Sequence, residues 1–240
     1  MALICFAIKQ KRRGGFGMPD KTFIIIALIS ILLLIRIKNI GIVFRSVNTL
    51  IHELSHAFVA LLTGGEVVEI KLNDNASGSC TTKSKGKFKS FLVSSAGYIS
   101  SAIFSYLLFY SIGREWNQYI FYFFLIISII ALVFWIRNLY GIIWTLIFAS
   151  INLSLILIPN AITNYANYIL LVFGLLIAID NFLACITLLN LSIFSPKKAS
   201  DAVNIAKKTH VPAFFWALFF LAVSVFIGYK SYLLLLPLIK

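Results

Sequence analysis

Long apolar runs separated by short polar stretches make up most of this chain of 240 residues. Seven of the runs approach the roughly 20 residues that a helix needs to cross a bilayer. They cover residues 22–40, 43–63, 91–112, 118–136, 139–158, 165–194 and 211–238. The first run is the weakest candidate, because its uncharged core ends before Arg36. The pattern predicts an all-α polytopic membrane protein with six to seven transmembrane helices.

One sizeable polar region, residues 64–90, interrupts the apolar pattern after the second run. Its first part, 65–72, is rich in β-branched residues, and a turn cluster and a threonine-containing return follow it. This order is typical of a hairpin, so we expect a small cytoplasmic β-hairpin there. The predicted organisation is a basic cytoplasmic N-terminus, 1–21, and a single transmembrane domain, 22–240.

The composition excludes an ordinary soluble protein, because 60% of the residues are hydrophobic and only 12% are charged. The formal net charge of +13 would suggest a nucleic-acid partner in a soluble chain. Here the basic residues lie between apolar segments, where they orient helices in a membrane, so we predict no nucleic-acid partner. The three cysteines (Cys5, Cys80 and Cys185) have no metal-ligand spacing.

The distribution of lysine and arginine predicts the orientation. With a cytoplasmic N-terminus, the inner side holds five basic residues before the first helix, five in 71–89, Arg137 and four in 197–208, which is 15 of 21. The positive-inside rule therefore favours a cytoplasmic N-terminus.

The second apolar run carries the motif His52-Glu53-Leu54-Ser55-His56. Histidines four positions apart on a helix are separated by about 40° and 6 Å, so both imidazoles can reach one zinc ion. Glu53 lies beside the first histidine, where a general base for the attacking water is needed. The alternative, a structural polar cluster without metal, is disfavoured by the cost of charges inside a bilayer.

A catalytic zinc ion needs a third protein ligand. Asp180 is the first candidate, because it lies in the middle of the sixth apolar run with no basic residue near it in sequence. Its alternative role is a hydrogen bond between helices. Asp201 is the rival ligand, although its lysine-rich surroundings favour a loop or a helix N-cap. His210 and Asn48 are expected at the interface and in helix packing, respectively.

With these residues in place, the chain resembles the site-2 protease family of intramembrane zinc metalloproteases. The resemblance extends to Gly64-Gly65, to Ala96-Gly97-Tyr98, and to Ser200-Asp201-Ala202 ahead of a last segment that contains proline and tryptophan. It points to the short M50B-like branch and covers roughly residues 43–216. Asn181 departs from the family, which has glycine after the aspartate, and the chain shows no inserted PDZ or CBS domain.

The resemblance implies a zinc metalloendopeptidase with one Zn²⁺ per chain, bound by His52, His56 and Asp180, and with Glu53 as base and acid. It also implies membrane-embedded or membrane-proximal protein substrates, and we expect a multi-pass protein in the plasma membrane of a bacterium. We hypothesise that the hairpin binds substrate by strand addition, the alternative being a passive loop.

Two other functions are considered: an inactive or structural zinc protein that binds transmembrane helices, and a metal transporter. An intact Glu53 disfavours the first, and the scarcity of polar membrane residues disfavours the second.

Overall fold

The computed structural model describes residues 18–114, 117–158, 160–196 and 199–239. Within these ranges the chain forms eight helices and one two-stranded sheet. The helices are α1 (Lys21–Leu34), α2 (Lys38–Leu62), α3 (Lys87–Ser111), α4 (Gln118–Phe134), α5 (Leu139–Leu157), α6 (Ala161–Phe194), α7 (Ser200–Thr209) and α8 (Ala213–Ile239). The strands are β1 (Glu66–Leu72) and β2 (Gly78–Lys83). Most of the predicted basic N-terminus, 1–21, lies outside the described residues.

Four helices, α3, α5, α6 and α8, are each long and apolar enough to cross a membrane. The pair α1 and α2 passes the same test as one bent unit, whereas α4 is apolar but has only 17 residues. Large apolar side chains cover the outer surface, as at Phe58 and Phe194, which are 62% and 81% exposed. Such a surface is suited to lipid. The chain is a multi-pass membrane protein with four to five candidate spans, so the predicted count of six to seven is not confirmed.

The first two predicted segments form one bent unit instead of two separate spans. α1 ends at Leu34 and α2 begins at Lys38, and the two helix axes differ by 114°. Gly41 permits this bend, because a Cβ atom there would lie 2.6 Å from the carbonyl oxygen of Ile35. A larger residue would push the first turn of α2 away from the end of α1.

Two ends of the helical assembly can be distinguished. The hairpin end carries the sheet, the connection between α4 and α5, and α7. At the opposite end, the side chain of Asn167 in α6 accepts hydrogen bonds from the backbone N–H of Gly113 (2.8 Å) and from the side chain of Asn117 (3.0 Å). Asn167 also contacts Met18, at 3.6 Å from the sulfur. The first described residues therefore lie at the opposite end from the hairpin.

The predicted hairpin is confirmed as an antiparallel pair of β1 and β2, with a bulge between Val67 and Glu69. The outer edge of β1 is occupied by the α4–α5 connection. Ile70 donates its N–H to the carbonyl of Trp135 (2.8 Å) and accepts from the N–H of Arg137 (3.3 Å). The outer edge of β2 has no neighbouring strand within the described residues.

The core is divided into two apolar clusters. The larger one joins the helices α1 to α6 and α8 with β1. The smaller one fixes α7, whose Ala202 and Ile205 are fully buried against residues of α6 and α8. The residues that they meet include Cys185, Leu188, Ala217 and Phe220. This packing holds α7 against the larger helices and sets the direction of its polar face.

Candidate metal centre

The two histidines of the motif lie on one face of α2, and their ring centroids are 4.8 Å apart. The Nδ1 atom of His56 lies 2.6 Å from the carbonyl oxygen of Val93 in α3. Because a carbonyl can only accept a hydrogen bond, the proton must be on Nδ1. This contact fixes the tautomer and leaves Nε2 free to bind a metal.

His52 is positioned by two successive residues of α3. Tyr98 makes an edge contact with the imidazole, with ring centroids 4.6 Å apart. Gly97 lies directly against the same ring, so that a Cβ atom at this position would overlap it. The Gly97-Tyr98 pair therefore provides a close backbone approach and an aromatic wall.

Asp201, in the first turn of α7, faces both histidines. Its Oδ2 atom lies 3.4 Å from Nε2 of His52 and 3.6 Å from Nε2 of His56. The potential ligand atoms of these three residues all lie within 4.8 Å of one another. In the described part of the chain they form a group that could hold a metal ion.

The distances in this group fit a metal centre better than direct hydrogen bonds. Hydrogen bonds from N–H to oxygen are usually about 2.7–3.2 Å long. Two ligand atoms at about 2.0–2.2 Å from a tetrahedral zinc ion are separated by roughly 3.3–3.6 Å. The separations of Oδ2 of Asp201 from the two Nε2 atoms are thus those expected between zinc ligands, and the donor set of two imidazoles and a carboxylate suits zinc.

The charge state of Asp201 suits the same role. Burial alone would raise the pKa of this carboxyl, but the nearby imidazoles of His56 and His52 outweigh that effect and lower its pKa. The carboxylate is therefore ionised at neutral pH.

Glu53 is buried beside the histidines at the wall of a polar cavity of about 640 Å³. Gly78 of β2 lies against it, and a Cβ atom at that position would be 2.5 Å from Oε1 of Glu53. The cavity is bounded by α2, α3, β2 and α7, and its lining includes Glu53, His56, Cys80, Thr82, Ser94, Asp201, Asn204, Lys207 and Lys208. Polar walls next to Glu53 allow water to reach the centre.

Asp180, the predicted third ligand, is not part of this group. One of its carboxylate oxygens accepts from Nε of Arg45 (2.5 Å), and the other accepts from the side chain of Asn48 (2.9 Å). Both partners belong to α2, one and two turns before His52. The physical reason is that an arginine distant in sequence neutralises the Asp180 carboxylate, whereas Asp201 is the carboxylate that lies beside the two histidines.

The remaining candidate residues lie away from the centre or do not suit a metal. His210 is exposed and follows α7 in a left-handed conformation with φ of 62°. Asn48 packs against Asp180, as predicted for helix packing. Burial, with smaller effects from Glu53 and Asp201, raises the pKa of the Cys80 thiol to about 12, so that it is neutral. Cys185 is buried, and Cys5 lies outside the described residues.

Comparison with known proteins tests the resemblance. Neither the curated proteins nor the solved structures gave a significant match to this chain. The model of one protein family, described as "Peptidase M50B-like", matches residues 25–230 of this chain. This range contains the HExxH motif, the hairpin, Asp201 and most of α8. The chain belongs to the Peptidase M50B-like family, a branch of the site-2 proteases.

Proposed function

We propose that this chain is an intramembrane zinc metalloendopeptidase that hydrolyses peptide bonds in or near membrane-spanning segments. The observation that carries the proposal is the meeting of His52, His56 and Asp201 beside Glu53, at a polar cavity in a multi-pass membrane protein. One zinc ion per chain would be held by Nε2 of each histidine and by the carboxylate of Asp201.

The chemistry divides between the metal and Glu53. A zinc ion bound there supplies Lewis acidity to water and to the substrate carbonyl. Glu53 accepts the proton of the attacking water and returns it to the leaving amine. His56 keeps its orientation through Val93, and His52 keeps its own through Gly97 and Tyr98. A structural zinc site needs no buried glutamate at this place, which favours catalysis over a purely structural role.

The substrate segment is proposed to bind as an added strand at the outer edge of β2. Ile70 directs its backbone N–H and carbonyl to the α4–α5 connection, so the facing pair Ile70 and Cys80 exchanges no hydrogen bonds. The N–H and carbonyl of Cys80 consequently point away from β1, on the cavity side. An extended peptide could pair with these groups while its next residues pass Glu53.

The hairpin end is proposed to face the cytoplasm. In the described residues it carries eight basic side chains (Lys71, Lys83, Lys85, Lys87, Lys89, Arg137, Lys207 and Lys208) against six towards the opposite end (Lys21, Arg36, Lys38, Arg45, Arg114 and Lys230). The positive-inside rule favours the first group for the cytoplasmic side of a bacterial plasma membrane. The predicted cytoplasmic N-terminus is not proposed with it, because Met18 and Lys21 lie towards the opposite end and residues 1–17 lie outside the described ranges.

The test is the zinc content of purified protein in detergent together with cleavage of a membrane peptide. We expect one zinc ion per chain in the parent, loss of zinc in His52→Ala and Asp201→Ala, and retention in Asp180→Ala. Glu53→Gln should keep zinc and lose cleavage. A folded parent without zinc would refute the proposal, and stoichiometric zinc without cleavage of any membrane peptide would favour a non-enzymatic protein that binds transmembrane helices.

A further inference from the structure

The helix α7 has a polar stripe that runs from the metal centre to the mouth of the cavity. Asp201, Asn204 and Lys208 recur at intervals of three and four residues, and all three line the cavity. Lys207 lines it as well. The opposite face of α7 is buried in the smaller apolar cluster, so the stripe cannot rotate away from the cavity.

The charges along the cavity are separated by depth. Glu53 and Asp201 are the acidic residues in its lining, and both lie at the metal centre. Lys207 and Lys208 lie at the mouth, and neither has an ion-pair partner within the described ranges. A divalent cation at the centre would balance the two carboxylates, which leaves the positive charge of the two lysines uncompensated.

The same cavity has the outer edge of β2 as its facing wall, with Cys80 and Thr82 in its lining. A peptide added to β2 would therefore pass between that strand and the stripe of α7. Its side chains would meet the two ammonium groups after leaving the metal centre. On these grounds we infer that Lys207 and Lys208 form a specificity subsite that binds an acidic side chain of the substrate strand. This inference rests on the proposed function.

The position of the acidic residue follows from the geometry of α7. Seven residues of helix separate Asp201 from Lys208, which is about 10 Å at roughly 1.5 Å per residue. An extended peptide covers that distance in about three residues. Because lysine side chains are long and flexible, the acidic residue is expected between about two and five positions from the scissile bond.

The experiment measures binding apart from cleavage. Fluorescently labelled peptides with an apolar segment and a flank containing either two aspartates or two asparagines are titrated onto zinc-loaded Glu53→Gln protein in uncharged detergent. We expect the aspartate peptide to bind about fivefold more tightly than the asparagine peptide, as two partly exposed ion pairs would allow. In the Lys207→Gln/Lys208→Gln variant the two peptides should bind equally. The preference should also fall with rising salt.

Two further variants separate charge recognition from damage to the fold. Lys207→Glu/Lys208→Glu should prefer a peptide with two lysines over the aspartate peptide, while its zinc content stays that of the parent. Lys38→Gln/Lys230→Gln removes two positive charges towards the opposite end and should keep the preference for aspartate. In the active parent, mass spectrometry should place the cleaved bond two to five residues from the aspartates.

Equal binding of the aspartate and asparagine peptides to the Glu53→Gln protein would overturn the inference. A preference for aspartate that persists in the Lys207→Gln/Lys208→Gln variant would also overturn it, since the two lysines would then not be its source. Failure of the proposed proteolysis gives a different result: the parent would cleave nothing, whereas lysine-dependent binding of the acidic peptide would persist.

Discussion

At the scale of single residues, the site depends on contacts that the motif itself does not contain. The sequence predicted His52, Glu53 and His56 because their spacing on a helix is diagnostic. It favoured Asp180 over Asp201 because local sequence gave Asp180 no basic partner and gave Asp201 several lysine neighbours. Neither argument could include contacts between residues distant in sequence: Arg45 of α2 forms an ion pair with Asp180 of α6, and Asp201 lies beside the two histidines of α2.

The contact between Gly97 and His52 gives the first prediction. Gly97→Ala places a Cβ atom against the imidazole, so the ring must rotate or α2 and α3 must separate. We expect zinc affinity to fall by about 10- to 100-fold, the usual effect of disturbing the groups that orient a ligand. Gly228→Ala is the matched control, because no atom lies within 4 Å of its Cβ position. Equal zinc affinities in the two variants, measured with a competing chelator, would contradict this account.

The ion pair of Asp180 and Arg45 gives the second prediction. Asp180→Ala leaves the arginine without its partner inside the bilayer, and we expect a loss of about 1–3 kcal/mol in the free energy of unfolding. The double variant Arg45→Gln/Asp180→Asn should be less destabilised than Asp180→Ala, because it buries no unpaired charge. Thermal unfolding in detergent would measure both effects, with zinc content unchanged. Loss of zinc from a well-folded Asp180→Asn protein would instead restore Asp180 as a ligand.

At the scale of elements, the apolar periodicity predicted the long helices well, and the turn residues of 73–78 predicted the hairpin. The sequence left the surroundings of Asp201 open as a loop or a helix N-cap, and the structure shows the helix, α7, with Asp201 in its first turn. The apolar cluster that holds this helix could not be recognised from ten residues with several lysines. The 114° bend before α2 was also missed, since the close approach at Gly41 depends on tertiary packing. The hairpin edges could be assigned only from the structure, which shows that β1 is covered by the α4–α5 connection.

The free edge of β2 gives the third prediction. Cys80→Pro removes the N–H that points away from β1, without removing a hydrogen bond between the two strands. Binding of an extended substrate peptide should weaken by about five- to tenfold, the value of one hydrogen bond. Cys80→Ala keeps the N–H and should bind as the parent does, and both variants should retain zinc. If Cys80→Pro binds the peptide as tightly as Cys80→Ala, strand addition at this edge is wrong.

At the scale of the whole molecule, the helices place the candidate metal centre near one end of the assembly. From Leu62, at the hairpin end of α2, His56 and His52 are about 9 and 15 Å away along the axis. The sheet, the α4–α5 connection and α7 all meet at that end. Met18 lies at the other end. The helix α1 therefore starts on the side of the membrane opposite to the side that the hairpin faces. The charge count took α1 and α2 as two separate spans, which put the N-terminus and the hairpin on the same side; if the first segment does not span, only the N-terminus changes sides.

Thiol labelling in membrane vesicles tests which end is cytoplasmic, through Cys80 at the hairpin end. In a Cys5→Ser/Cys185→Ser background, a membrane-impermeant maleimide should label Cys80 in inside-out vesicles and leave it unlabelled in right-side-out vesicles. Because burial and nearby carboxylates raise the pKa of Cys80 to about 12, its thiolate fraction is small at neutral pH. Labelling should therefore be slow and should accelerate roughly tenfold per pH unit between pH 7 and pH 9. Lys230→Cys, in a background that also lacks Cys80, should label in right-side-out vesicles instead. A reversal of both results would place the polar cavity outside the cell.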